Sequence, residues 1–135
     1  MRKIFIDSNI FIRHLTHDDP RLSPKATKFF KDLSEGQFVG YISVIVLHEV
    51  TYVLRKGYNL EEKRISGALI TLLRMENLKI VDMPKETVLT ALTEYGQHSV
   101  DLADIFYKHI ALNNGCLIAS FDRDMQKIGA PFYKM

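Results

Sequence analysis

The chain contains short, continuous runs of apolar residues, separated by longer segments in which apolar residues alternate with polar ones at intervals. Continuous runs of this kind are typical of strands buried on both faces of a parallel sheet. They predict four strands, at residues 4–6, 38–42, 78–81 and 116–120. Because Cys116 begins the fourth run, we expect its thiol to be buried and inert.

Between these runs, apolar residues recur every three or four positions, which predicts amphipathic helices. The predicted helices cover residues 9–15, 24–35, 44–56, 60–73, 84–95, 101–113 and 124–127. Ser23 before Pro24 predicts one helix start, and Asn59 with Glu62 three residues later resembles a capping box. A last extended piece is expected at residues 131–133.

The alternation of strands and helices predicts the fold class and the place of a binding site. It is typical of a single α/β domain, here residues 1–135, with a central parallel sheet flanked by helices. In such sheets ligands bind beyond the carboxyl ends of the strands. Two aspartates, Asp7 and Asp122, follow predicted strands.

Composition narrows the class of protein without identifying a partner. Of 135 residues, 47% are hydrophobic and 25% charged, and the formal net charge of +2 neither requires nor excludes nucleic acid. A single cysteine cannot form an intramolecular disulfide, which favours a cytoplasmic protein. The longest apolar stretch, residues 41–54, is too short to cross a bilayer, and the first residues do not resemble a signal peptide.

Each acidic residue near the predicted strand ends also has a structural explanation. Asp7, Asp101 and Asp122 suit helix caps, and Asp104 in the first turn of a helix interacts favourably with its dipole.

Glu49 lies inside an apolar helix, where a surface position is an equally good explanation. If Ile45 and Leu54 face the core, however, Glu49 lies beside that face, and a buried carboxylate requires a compensating cation.

Taken as a set, the carboxylates point to a metal site. Four of them follow strands or lie on adjacent helices of one sheet: Asp7, Glu49, Asp104 and Asp122. Two unit negative charges 4 Å apart repel by about 4 kcal/mol at an effective dielectric of 20, so a shared pocket would need a cation. Oxygen ligands favour Mg²⁺ or Mn²⁺ over Zn²⁺.

Segments in the same order along the chain resemble the motifs of PIN-domain ribonucleases, the fold of VapC-type toxins. The opening strand and its Asp-Ser-Asn turn lie at residues 4–13, and a loop common in that family lies at residues 17–20. The other acidic motifs match residues 42–50, 100–105 and 118–124. Ser8 and Ser120 replace the family's usual threonines but keep the hydroxyl group.

The resemblance implies a three-layer PIN-like sandwich and an Mg²⁺- or Mn²⁺-dependent endoribonuclease in which a metal-activated water attacks a phosphodiester bond. It implies that Asp7 and Asp104 are the firmest metal ligands, that Asp122 completes the site, and that Glu49 holds a second ion or orients the water. The expected supporting residues are Asn9, Asp101 and Ser120. The expected partners are an RNA substrate, a second copy of the chain and a small antitoxin protein.

Other functions remain open or are disfavoured by particular residues. A PIN-like module that binds RNA or protein without cutting it remains open. A dehalogenase-like phosphatase needs an acid where Asn9 stands, and a Rossmann dinucleotide site needs glycines that the turn after Ile6 lacks.

Three basic residues are candidates for contacts with phosphate, and each is equally well explained as a solvated side chain: Arg13, Arg123 and Lys127. Tyr107 suits base stacking, core packing or a partner contact.

Overall fold

Three short parallel strands form the centre of the molecule in the computed structural model, which describes residues 1–135. They are β1 (Lys3–Phe5), β2 (Val39–Ile42) and β3 (Leu78–Ile80), in the order β1-β2-β3. Gly40 of β2 lies opposite Ile4 on one side and Leu78 on the other. All three strands therefore end at the same edge of the sheet.

Helices connect and flank these strands, which confirms the predicted α/β class. They are α1 (Ser8–Thr16), α2 (Leu22–Ser34), α3 (Val44–Tyr52), α4 (Glu62–Leu73), α5 (Lys85–Tyr95), α6 (Leu102–Asn113) and α7 (Asp124–Lys127). A π-helical turn, Val53–Gly57, continues α3. None of the helices combines the length and the apolar character that crossing a membrane requires.

One continuous core of 25 buried residues joins the sheet to the helices. Its centre contains Ile6 and Ile42 from the strand ends, with Leu47 from α3 and Leu102 and Ile105 from α6. Because α3 and α6 both contribute fully buried side chains, their positions beside the sheet are fixed by packing.

The predicted fourth strand is wrong. Residues 116–120 form only an isolated parallel bridge, between Ile118 and Phe132, and Cys116 is exposed. The reason lies in the backbone hydrogen bonds of Ile118, which donates to the carbonyl of Pro131 and accepts from the N–H of Tyr133. This segment therefore pairs with the end of the chain, and the sheet keeps three strands.

Two predicted helix caps are also wrong. Helix α2 begins at Leu22, before Ser23, and its N-cap residue is Arg21. The Asp19 carboxylate accepts the N–H of Arg21 at 2.9 Å and that of Leu22 at 2.8 Å at this helix start. Asn59 adopts a left-handed φ of 55° and accepts a hydrogen bond from Arg55, while α4 begins later, at Glu62. In both cases a contact with another residue replaces the cap that the local sequence suggested.

We expect Gly40→Ala to destabilise the fold by about 1–3 kcal/mol, the usual cost of overpacking. A Cβ atom at Gly40 would lie 2.8 Å from the Cδ1 atom of Ile6 and 3.3 Å from those of Leu33 and Leu78, all fully buried. The matched control is Gly67→Ala in α4, where no atom lies within 4 Å of the new Cβ and a gain of about 0.5–1 kcal/mol is expected. Urea unfolding of both variants measures the difference, and equal stabilities would contradict it.

Candidate metal centre

Three aspartates lie together beside the carboxyl-terminal part of the chain. One carboxylate oxygen from each of Asp104, Asp122 and Asp124 lies within 4.8 Å of the others. Asp104 is in the first turn of α6 and partly buried, whereas Asp122 is exposed in the loop before α7 and Asp124 begins that helix. The structure thus brings two of the sequence-predicted residues together and adds Asp124.

The loop that carries Asp122 is held by hydrogen bonds within itself. The Ser120 hydroxyl accepts the N–H of Asp122 at 3.0 Å, and the Oδ1 atom of Asp122 accepts the N–H of Asp124 at 2.9 Å. The Ser120 hydroxyl therefore helps to hold the backbone at Asp122. Asp124 was missed as a site residue, although its position two residues after Asp122 was a visible signal for a paired carboxylate.

Asp104 occupies an electrostatically unfavourable position for a carboxylate. Burial raises its pKa above the ordinary value, and the negative charges of Asp122, Asp101 and Asp124 raise it further. The nearby His48 ring has the opposite effect and lowers it. A carboxylate that is partly desolvated among others fits a hard divalent cation, because such ions bind all-oxygen donor sets.

Asp7 and Asp101 occupy helix N-cap positions without acting as caps. Each precedes its helix in extended backbone, but neither side chain forms a cap hydrogen bond, and both residues are exposed. Asp82 after β3 behaves differently, since it accepts the Ser43 hydroxyl at 2.6 Å and the N–H of Val44 at 3.0 Å. The carboxylates of Asp7 and Asp101 are therefore free of the structural bonds that occupy Asp82.

Of the two explanations left open for Glu49, the structure shows the surface position, because Ile45 faces solvent with 73% of its surface exposed and Glu49 is itself exposed. Its carboxylate is nonetheless fixed, since it accepts a hydrogen bond from the hydroxyl of Ser8, which is only 2% exposed. This bond ties Glu49 to the turn that contains Asp7. Neither Asp7 nor Glu49 belongs to the group of oxygens within 4.8 Å of one another.

Helix α3 connects the two sets of acidic residues. It packs against α1, where Ser8 holds Glu49, and against α6, where Asp104 lies near His48. Glu49, with the turn that contains Asp7, and the aspartate cluster are therefore on elements that pack against one another.

Asn9 and Arg13 both belong to α1 and line the same cavity. With Lys25 they help to line a cavity of about 410 Å³ beside α1 and α2, and no hydrogen bond joins Asn9 to Asp7. Arg13 forms an ion pair with Asp18 at 3.0 Å. Hydrogen bonds from Tyr58 and Thr16 help to lower the pKa of Asp18 to about 2. This network fixes the loop after α1 and leaves Arg13 committed to Asp18.

The other two candidate phosphate contacts differ in whether they form an ion pair. Lys127 contacts Asp124 at 3.0 Å, so its charge partly offsets the aspartate cluster. Arg123 is exposed and forms no ion pair.

The family comparison agrees with this arrangement. The sequence model of the PIN domain family matches residues 4–131 of the chain, and this range includes every acidic residue described above. A comparison with curated proteins returned no significant match.

We expect Asp104→Asn to raise the metal-free melting temperature at pH 7 by about 3 °C, roughly the effect of 1 kcal/mol in a domain of this size. The neutral amide removes repulsion from Asp122 and Asp124. Because the pKa of Asp104 is raised in the folded state, its destabilising effect grows as pH rises, so the gain should vanish near about pH 3.

The control for this measurement is Asp82→Ala, which removes bonds to Ser43 and Val44 and should lower the melting temperature. A lower melting temperature for Asp104→Asn as well would contradict charge crowding.

Proposed function

The chain belongs to the PIN domain family, and from this membership we propose that it is an Mg²⁺- or Mn²⁺-dependent endoribonuclease. PIN domains are nucleases that depend on divalent metal ions. The observation that carries the proposal is the cluster of Asp104, Asp122 and Asp124, whose carboxylate oxygens lie within 4.8 Å of one another. Such a donor set suits a hard cation and no other common cofactor.

Each acidic residue has a role in this proposal. Asp104 and Asp122 would hold the metal ion together with Asp124, and Asp7 would add a ligand from the end of β1. When bound, a divalent ion would offset the charge of a phosphodiester and lower the pKa of a water molecule. Glu49, held by Ser8, would orient the attacking water or hold a second ion.

Two further residues support this chemistry without binding the ion. Asp101 adds negative charge next to Asp104, and Ser120 keeps the Asp122 loop folded.

We expect Asp104→Asn and Asp122→Asn each to reduce Mg²⁺-dependent cleavage of RNA by at least about 100-fold, because each removes a charged metal ligand. The control is Asp32→Asn, which affects only a surface ion pair with Lys28 and should leave cleavage unchanged. Cleavage of a labelled RNA is followed with Mg²⁺ and then with excess EDTA, which should abolish it.

Two outcomes would contradict this function. Cleavage that persists in EDTA would exclude a metal-dependent mechanism. RNA binding without cleavage in Mg²⁺ or Mn²⁺ would instead favour a PIN-like binding module.

The proposal extends to a VapC-like toxin that acts in the cytoplasm as a homodimer and is inhibited by a small antitoxin protein. Its support is the order of the motifs and an exposed apolar groove of about 170 Å³ between α3 and α6. Ile45, Tyr107 and Ile110 line this groove, and all three are exposed. We place the dimer interface at this groove, because an exposed apolar patch marks a protein contact.

We expect Ile45→Glu to convert a dimer into a monomer, because it places a charge in an apolar contact. Light scattering coupled to size exclusion measures the mass of each variant. Leu117→Glu is the control, since Leu117 is also exposed but does not line the groove. A monomer produced by Leu117→Glu alone would place the interface on the carboxyl-terminal segment instead.

A further inference from the structure

Phe121 is the most exposed large hydrophobic side chain of the protein, with 94% of its surface accessible. An aromatic ring that stays in water does not contribute the favourable free energy that burial of such a ring usually provides. Phe121 directly precedes Asp122, and consecutive Cα atoms are about 3.8 Å apart. Phe121 is therefore attached to the backbone next to one of the three clustered aspartates.

The position of Phe121 is fixed from both sides. Before it, Ile118 is paired with Phe132. After it, Asp122 is held through Ser120, and the buried side chain of Met125 anchors α7 in the fold. The loop thus holds the aromatic ring in solvent, on the residue that precedes Asp122.

The neighbours of Phe121 favour a nucleic acid over a protein as its partner. Its neighbours in sequence are polar, with Ser120 before it and Asp122 and Arg123 after it. A protein interface needs a continuous apolar centre, whereas a nucleobase needs only one aromatic face. Arg123, exposed and without an ion-pair partner, adds a positive charge suited to a neighbouring phosphate.

We propose that Phe121 binds substrate by stacking on an unpaired base next to the phosphodiester bond that is cut. This inference rests on the proposed function, because the aspartate cluster sets the place of that bond. Stacking on the ring requires a base that is free of its neighbours, so single-stranded RNA binds better than duplex RNA.

Because the chain contains no tryptophan, Phe121→Trp introduces a single indole whose fluorescence reports on stacking. Asp104→Asn is added to stop cleavage, and an unstructured RNA oligonucleotide is the probe. We expect the RNA to quench the indole, and a duplex of the same sequence to quench it less. Fluorescence anisotropy of labelled RNA measures binding independently.

The matched control is Leu112→Trp, also combined with Asp104→Asn. Leu112 is 52% exposed on the same helix as Asp104, eight residues further along and thus about 12 Å away along the axis. Its indole should not be quenched. In otherwise wild-type protein, Phe121→Ala should weaken RNA binding about 10-fold, and Phe121→Tyr should retain it.

Binding of RNA without quenching at position 121 overturns the stacking role but leaves the proposed function intact. Quenching by RNA without cleavage by the wild-type protein supports stacking of Phe121 on a base but overturns the proposed function, and with it the place of that base beside a bond that is cut. Fluorescence that changes with protein concentration alone assigns Phe121 to a protein interface, and absence of any RNA binding overturns both proposals.

Discussion

Repulsion between carboxylates is the constraint on which the candidate site depends. At 4.8 Å, two unit negative charges repel by about 3 kcal/mol at an effective dielectric of 20. Lys127 offsets this only at Asp124, whereas Asp104 has no cationic side chain bonded to it. Packing therefore holds the charges in place, through Leu102 and Ile105 of α6 and Met125 of α7, which are all buried. A cation is the simplest way to relieve the repulsion that this packing maintains.

Hydrogen bonding distinguishes carboxylates that build the fold from those available for chemistry. The Asp19 carboxylate accepts N–H groups at the start of α2, and the Asp82 carboxylate, from the segment after β3, accepts the first N–H group of α3. Asp7 and Asp101 themselves stand at helix N-cap positions, yet their side chains accept no such bond. Because an unused cap position forgoes roughly 1 kcal/mol of stability, these two residues fit a role other than holding the helix.

The three paired strands were predictable because each is a continuous apolar run, and the helices because their apolar positions follow a helical period. The apolar run at residues 116–120 led to the wrong prediction of a fourth strand in the sheet, because an apolar run does not specify its pairing partner. In the structure Ile118 pairs with Phe132, fourteen residues further along the chain. The exposure of Glu49 could not be decided from the sequence for a related reason: which face of α3 is covered depends on where α1 and α6 pack. The proximity of Asp104 and Asp122 was predictable from the motif order, but the place of Asp124 depended on how the loop folds back.

The geometry of α3 explains how distant parts of the sequence can act at one surface. Consecutive residues of an α-helix point about 100° apart, so His48 and Glu49 face different neighbours. Glu49 is held by Ser8 of α1, and His48 lies near Asp104 of α6 with its Nδ1 atom buried and without a hydrogen-bond partner. The position of α3 in the core therefore sets the spacing between the Asp7 turn and the aspartate cluster. Any cation or substrate that needs both must depend on the packing of this one helix.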